Sequence, residues 1–260
     1  MASRSGTINE RVVAGMRDLL RAAANTLVPP TCLCCETPVD RPGTACTRCW
    51  RGLRFIERPF CEVLGTPFGV DLGPAALSAE AIAAPPPFVR ARAAVVYAQA
   101  AERLVTALKF GDRTDLAPWM AGWMWRAAGD LRTLGGETPP VWVPVPLHRR
   151  RLFQRSTNQS AELSRALSRL SGYEHRPGWL RRTRATRPQV GLGRKARTRN
   201  VAAAFAVPEA FRGDVQGRRV ILVDDVFTTG ATLAACARAL KRGGARHVDC
   251  LCFARVVREV

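Results

Sequence analysis

Thirteen residues in the C-terminal part of the chain constrain its fold more than any other segment: Val220-Ile221-Leu222-Val223-Asp224-Asp225-Val226-Phe227-Thr228-Thr229-Gly230-Ala231-Thr232. Four apolar residues in a row suit a parallel strand covered on both faces. Two carboxylates end the run, and a hydroxyl-rich turn containing one glycine opens a helix expected over residues 231–241, closed by Gly243-Gly244. A helix N-terminus presents unpaired amides and the positive end of its dipole, which suits a phosphate group. Thr228, Thr229 and Thr232 add hydroxyl donors, and Gly230 lets the backbone approach closely. Asp224 and Asp225 fall where open α/β sheets bind ligands, and can take up sugar hydroxyls directly or with help from a hydrated divalent ion. A bare Asp-Thr-Gly would be a capped turn with solvated aspartates, but the full stretch is more specific than that. It is not a Walker loop, because no G-x-x-x-x-G-K-[ST] occurs.

The surrounding chain repeats this strand–helix alternation. Strands are expected at residues 91–98, 141–145, 220–223 and 247–253, with helices at 101–110, 117–131 and 160–170. Such a pattern predicts an α/β fold, a parallel sheet with helices on both faces. Trp119 and Trp123 share a helical face, the spacing of ordinary core packing, and Trp125 points elsewhere. Upstream, Ile8, Val12, Val13, Met16, Leu19, Leu20, Ala23 and Leu27 form the stripe of an amphipathic helix that Pro29-Pro30 stops. The expected organisation is an N-terminal helix (1–28), a cysteine module (29–64), a linker containing Pro85-Pro86-Pro87 (65–88) and the α/β domain (89–260). No internal repeat is visible.

Six of the nine cysteines lie between residues 32 and 61. Two C-x-x-C pairs, Cys32/Cys35 and Cys46/Cys49, are separated by ten residues. Zinc takes four soft ligands in a tetrahedron, and each pair supplies two thiolates about one metal apart. Four thiolates close the coordination sphere, so the expected zinc is structural. Cys34 leaves the register ambiguous and Cys61 is a spare. Paired cysteines in a chain whose first twenty residues carry Arg4, Glu10, Arg11, Arg17 and Asp18 read as metal binding in a reducing compartment, and a cytoplasmic location is expected. His175 and His247 show no partner pattern and read as structural; Cys250 and Cys252 face one way in a strand and read as buried.

The formal charge is +19, from 40 basic and 21 acidic residues, which predicts polyanionic company. It is concentrated: residues 140–200 hold 15 Lys and Arg against Glu162 and Glu174, a net +13. His148-Arg149-Arg150-Arg151 follows an expected strand end, and residues 181–199 lack apolar periodicity and read as a loop that can close over an anion.

The segment 220–232 resembles the phosphoribosyl pyrophosphate (PRPP) loop of type I phosphoribosyltransferases. By that resemblance Asp224 and Asp225 hold the ribose hydroxyls and Thr228, Thr229, Gly230, Ala231 and Thr232 the 5′-phosphate. The whole chain is similar to the competence protein F (ComF) family, which joins an N-terminal zinc ribbon to a type I phosphoribosyltransferase-like domain. The similarity rests on Pro30-Thr31-Cys32-Leu33-Cys34-Cys35, Cys46-Thr47-Arg48-Cys49-Trp50, Leu108-Lys109-Phe110-Gly111-Asp112, Pro144-Val145-Pro146-Leu147-His148, Asn158-Gln159-Ser160, Arg181-Arg182-Thr183-Arg184, Arg199-Asn200-Val201 and the phosphate loop. Arg155-Ser156-Thr157-Asn158-Gln159 departs from the family's Arg-Gly-Phe-Asn-Gln.

The resemblance implies PRPP with Mg²⁺ as ligand, and pentosyl transfer as activity. Asp224, Asp225 and Lys109 would be the catalytic set, with His148, Arg149, Arg150 and Arg182 on the pyrophosphate. His148 reads as a pocket-wall or structural histidine in preference to a general acid or base. It also implies a part in DNA uptake during natural transformation, or in nucleotide metabolism. The competing expectation is a non-catalytic protein that binds single-stranded DNA, or an adaptor whose ribbon docks a competence helicase or channel component.

Overall fold

The computed structural model describes residues 29–111, 113–133, 138–147, 157–184 and 203–257, together with residue 16. The expected N-terminal helix, His148, Arg149, Arg150 and the basic stretch 185–199 lie outside the described residues. The chain forms two compact units, Met1–Arg51 and Gly52–Val260. In the first, Thr31 and Pro38 form an antiparallel bridge, Cys32 N–H donates to the Thr37 carbonyl at 2.7 Å, and helix α1 (Thr47–Arg51) buries Cys49.

The second unit runs α2 (Ala79–Ala83), β1 (Ala91–Val96), α3 (Gln99–Phe110), α4 (Leu116–Ala127), α5 (Gly129–Thr133), β2 (Val141–Pro144), α6 (Gln159–Ser171), β3 (Arg181–Arg182), β4 (Phe205–Ala206), α7 (Arg212–Val215), β5 (Arg219–Phe227), α8 (Ala231–Arg242) and β6 (His247–Arg255). Four strands form a parallel sheet in the order β1-β6-β5-β2, and β3 pairs antiparallel with β4. One parity of sheet residues, including Ala93, Val143, Leu222, Cys250 and Cys252, packs with Leu233, Cys236 and Leu240 of α8. The opposite parity meets α4: the Trp123 ring stacks on Phe253 at 6.0 Å, and Trp125 meets Trp142 edge-on at 6.3 Å. Helices therefore cover both faces, as uninterrupted apolar strands require. Trp119 and Trp123 share their helix face with centroids 3.7 Å apart.

Several elements differ from the sequence expectation. Arg181–Arg182, expected at the start of a loop, form strand β3, because Phe205–Ala206 pair with them, and α2 falls within the expected linker. β5 extends to Phe227 instead of stopping at Val223, because β6 is equally long and keeps pairing with it: Asp224 lies opposite Cys252 and Phe227 opposite Arg255. The carboxylates are thus part of the paired strand, with a backbone that cannot swing. The helix expected over 117–131 is broken into α4 and α5 at Ala128, ahead of Gly129, a poor helix former.

His175 runs beside β2 through a parallel bridge to Trp142, and its Nε2 is buried. Burial, helped by the Arg165 guanidinium, holds its pKa below the ordinary histidine value. The unfolded chain then binds the extra proton first, so stability is full above about pH 6.5 and falls as pH drops through that value. His175→Gln is expected to flatten the decline between about pH 7.5 and pH 5.5, read from urea unfolding midpoints.

Candidate functional site

Three segments distant in sequence converge at the carboxyl end of β5. Asp225 Oδ2 sits 2.9 Å from Lys109 Nζ, which projects from the last turn of α3. Asp224 Oδ1 accepts hydrogen bonds from Ser160 Oγ at 2.9 Å and from the Asp225 N–H at 3.0 Å. Ser160 comes from the first turn of α6, whose position is set by Asn158. That side chain caps the helix by accepting from Ser160 N–H at 3.1 Å and donates to the Val145 carbonyl at 3.2 Å, tying α6 to the end of β2. Gln159, almost fully buried, donates to the Lys109 carbonyl at 3.4 Å, so α6 also holds the segment that carries the lysine.

The electrostatics follow from this packing. Burial first, and the Asp225 charge second, push the Asp224 carboxyl up to about 7, against the opposing pull of Ser160 and Lys109. A carboxyl so placed is poised between acceptor and donor near neutral pH. Tyr97, just past β1, lies close enough for its phenol to feel Lys109 and Asp225, and burial raises its pKa. The sequence alone gives neither Ser160 nor Tyr97 a site role. The signal that could find Ser160 is the Asn158-Gln159-Ser160 helix start; for Tyr97 there is none.

Beyond the carboxylates the chain turns through Thr228, exposed, and Thr229 and Gly230, half-buried, into α8. Gly230 adopts φ 72°, and a Cβ there would lie 2.8 Å from Phe227 Cζ, so both backbone conformation and space select glycine. Thr229 Oγ1 is buried without a hydrogen-bond partner among the described residues, an orphaned donor at the start of the helix. Ala231 is buried in the first turn and Thr232 half-buried behind it. Arg182 lies in β3 with its guanidinium 5.3 Å from the Phe205 ring, and its charge, like that of Asp224, reaches the buried Cys236 thiol of α8.

In the first unit the Sγ atoms of Cys32, Cys35, Cys46 and Cys49 all lie within 4.8 Å of one another, Cys35 and Cys46 at 3.7 Å. Cys32 Sγ accepts from the N–H groups of Cys34 and Cys46 at 3.4 and 3.2 Å. Four thiols at this spacing, with amides already aimed at the sulfur, fit a structural tetrathiolate zinc and leave no coordination position for chemistry. Cys34 and Cys61 fall outside the group.

Ser160→Ala is expected to cost about 1 kcal/mol of stability, because the half-buried Asp224 carboxylate loses its hydroxyl donor. In the Asp224→Asn background the cost should shrink, giving a coupling of ~1 kcal/mol in a double-mutant cycle of urea unfolding.

Residues 23–82 match the family model of the double zinc ribbon domain, and residues 189–258 that of the phosphoribosyl transferase domain. The DNA utilization protein YhgH of Escherichia coli (strain K12) is 33% identical over 232 residues, covering 88% of this chain and 99% of that protein. Competence protein F of Haemophilus influenzae is 32% identical over 153 residues, covering 58% of this chain and 66% of that one. Among solved structures, a glutamine PRPP amidotransferase from B. subtilis is similar over 56% of this chain and 30% of its own, with 20% identity and a TM-score of 0.35. No helix among the described residues is long and apolar enough to cross a membrane. With a relative matched along nearly its entire length, the chain belongs to the family of DNA utilization protein YhgH and competence protein F, a zinc ribbon joined to a phosphoribosyltransferase-type α/β domain.

Proposed function

We propose that the α/β domain binds PRPP with Mg²⁺ and transfers its phosphoribosyl group. The observation that carries this reading is the Asp224–Asp225 pair, fixed by Ser160 and Lys109 within a paired strand and only a few residues ahead of a helix N-terminus. The spacing suits a ligand with hydroxyls at one end and a phosphate at the other. Asp224 and Asp225 accept the ribose hydroxyls. Thr228, Thr229, Gly230, Ala231 and Thr232 receive the 5′-phosphate, and the unpartnered Thr229 hydroxyl gains an acceptor.

In the transfer, a nucleophile forms a bond to C1 of the ribose while the bond from C1 to pyrophosphate breaks, the electron pair leaving with pyrophosphate. Positive charge develops on the sugar, and the nearby carboxylates stabilise it. Negative charge grows on the leaving group, and the cations and donors that the resemblance offers for it are Lys109 and Arg182, together with His148, Arg149 and Arg150, which lie outside the described residues. Asp224 and Asp225, carboxylates on successive residues at the end of β5, are oxygen donors of the kind that Mg²⁺ takes through its water shell and that ribose hydroxyls bond. When bound, the ion supplies neutralisation of pyrophosphate charge.

The second reading, a protein that binds single-stranded DNA without catalysis, is supported by the +13 carried on residues 140–200 and by the names of the relatives. A polyanion has no use for paired carboxylates beside a phosphate-binding turn, so the two activities would use different surfaces. Single-strand affinity is then expected to fall roughly tenfold or more between about 50 and 200 mM salt, measured by fluorescence anisotropy.

Calorimetry with Mg²⁺ and PRPP decides the first reading. Micromolar binding is expected for the intact chain, with loss of at least ~100-fold in Asp224→Asn/Asp225→Asn, about the effect of removing two charge-assisted hydrogen bonds. No heat at millimolar PRPP from folded, zinc-loaded protein would overturn it.

A further inference from the structure

The chain contains a repeat that its cysteine pattern conceals. Pro30-Thr31-Cys32-Leu33-Cys34-Cys35-Glu36-Thr37-Pro38-Val39 and Pro59-Phe60-Cys61-Glu62-Val63-Leu64-Gly65-Thr66-Pro67-Phe68 share Pro, Cys, Thr and Pro at the same offsets. Their backbones follow the same path. The N–H of Cys32 bonds the Thr37 carbonyl at 2.7 Å and that of Cys61 the Thr66 carbonyl at 2.8 Å. Likewise Glu36 N–H reaches the Cys32 carbonyl at 3.0 Å and Gly65 N–H the Cys61 carbonyl at 2.7 Å, with φ of 62° and 65° at those two residues. Thr31 bridges Pro38 as Phe60 bridges Pro67.

The correspondence continues past the turn. Leu33 N–H bonds the Thr44 carbonyl at 3.1 Å and Glu62 N–H that of Ala76 at 3.0 Å, and each segment then enters a five-residue helix, α1 or α2. Cys32 Sγ accepts from Cys46 N–H at 3.2 Å, and Cys61 Sγ from Ser78 N–H at 3.3 Å. Cys46 therefore corresponds to Ser78, Cys35 to Leu64, and Cys49 to Ala81. The sequence expectation of no internal repeat is corrected: the duplication escapes a search for C-x-x-C because three of the four cysteines are gone from the second copy.

We infer that residues 59–83 are the second half of the double ribbon, that this half binds no zinc, and that it instead clamps the phosphate loop through Arg255. A leucine and an alanine cannot ligate, and a serine beside one thiol does not complete a tetrahedron. What held the first copy together is replaced by burial: Cys61, Leu64 and Ala81 are 0%, 6% and 5% exposed and join Ile56 and Phe88 in the core cluster that includes Ala91 and Ala93 of β1. Ala91 N–H bonds the Val63 carbonyl at 2.8 Å, and the Arg92 guanidinium donates to the Glu62 carbonyl at 2.9 Å. Gly65 passes so near β1 that a Cβ would sit 2.4 Å from the Ala91 carbonyl oxygen.

From the turn a short chain of contacts leads to the loop. The Leu64 carbonyl accepts from Arg255 Nη1 at 2.7 Å. That guanidinium lies 4.1 Å from the centroid of Phe227, whose ring edge lies against Gly230. Phe88 closes on Phe227 edge-to-face at 6.3 Å. The metal-free half thus holds the ring on which the phosphate turn rests.

Metal counting on the purified full chain tests the first part. Cobalt titration and zinc analysis should give one ion per chain, unchanged in Cys61→Ala; two ions, or loss of the ion in that variant, would overturn it. Leu64→Cys/Ser78→Cys/Ala81→Cys should take up a second ion, and a folded triple variant that still holds one would show the register to be wrong. If it does not fold, the wild-type and Cys61→Ala counts decide. For the clamp, amide hydrogen exchange over residues 228–232 should rise at least about fivefold in Arg255→Gln with the zinc count unchanged; unchanged exchange would overturn it. Should Arg255→Gln not fold, Phe227→Leu removes the other face of the same stack and is read the same way. Neither readout needs PRPP, so failure here is distinct from failure of the phosphoribosyl reading.

Discussion

Two neighbouring carboxylates at the end of a buried strand repel each other and resist desolvation, and much of the second unit answers that problem. The strand cannot relieve it by fraying, because β6 pairs with β5 through Phe227. Relief comes from outside: Lys109 neutralises Asp225, and Ser160 donates to Asp224. Each of these has its own support, since Asn158 and Gln159 fasten the start of α6 to the end of β2 and to the Lys109 carbonyl. The arrangement still leaves Asp224 with its carboxyl raised to about 7, so the compensation is incomplete. A few residues on, the buried Thr229 hydroxyl has no partner among the described residues either.

The strand, loop and helix at 219–242 were legible in the sequence because each is encoded locally: an apolar run, a glycine that must take φ 72°, a helix closed by glycine. The four zinc ligands were legible for the same reason. The partners of the carboxylates were not all so. Lys109 entered through a family motif, but Ser160 meets Asp224 across 64 residues of chain, and only tertiary packing of α6 on β2 and β5 brings them together. The true length of β5 was hidden because acidic residues read as a strand's end, whereas pairing with an equally long neighbour overrode that preference.

The second ribbon half was illegible for a different reason. A cysteine framework is recognised by its ligands, and once a metal is lost the ligands are the first positions free to change. The backbone path outlives them because its hydrogen bonds are made by main-chain groups, which are indifferent to side chain. Proline, threonine and proline at matching offsets mark the turn geometry, and Gly65 can replace Glu36 at the positive-φ position at less conformational cost. What must change with the ligands is the source of folding free energy. A metal-held turn can stand in solvent, but one held by leucine and alanine must find apolar surface, and the segment has found it on β1 and around Phe88.

That exchange bears on how the chain's arginines are to be understood. A formal +19 invites the inference of a polyanion-binding surface, yet Arg92 and Arg255 are 3% and 4% exposed and serve the fold. Arg92 pairs with Glu62 and Asp130 while spanning the turn and β1; Arg255 joins the turn to the stack on Phe227. Arg219 pairs with the fully buried Asp249. A planar guanidinium can stack on a ring and bond carbonyls at its edge at once, which an ammonium cannot. The buried arginines thus act as joints between elements, and the charge left for an outside partner is concentrated in residues 140–200. The segment that carries most of the net charge is accordingly separate in sequence from the arginine that stacks on Phe227 beside the turn at 228–230, so substitution can address the two one at a time.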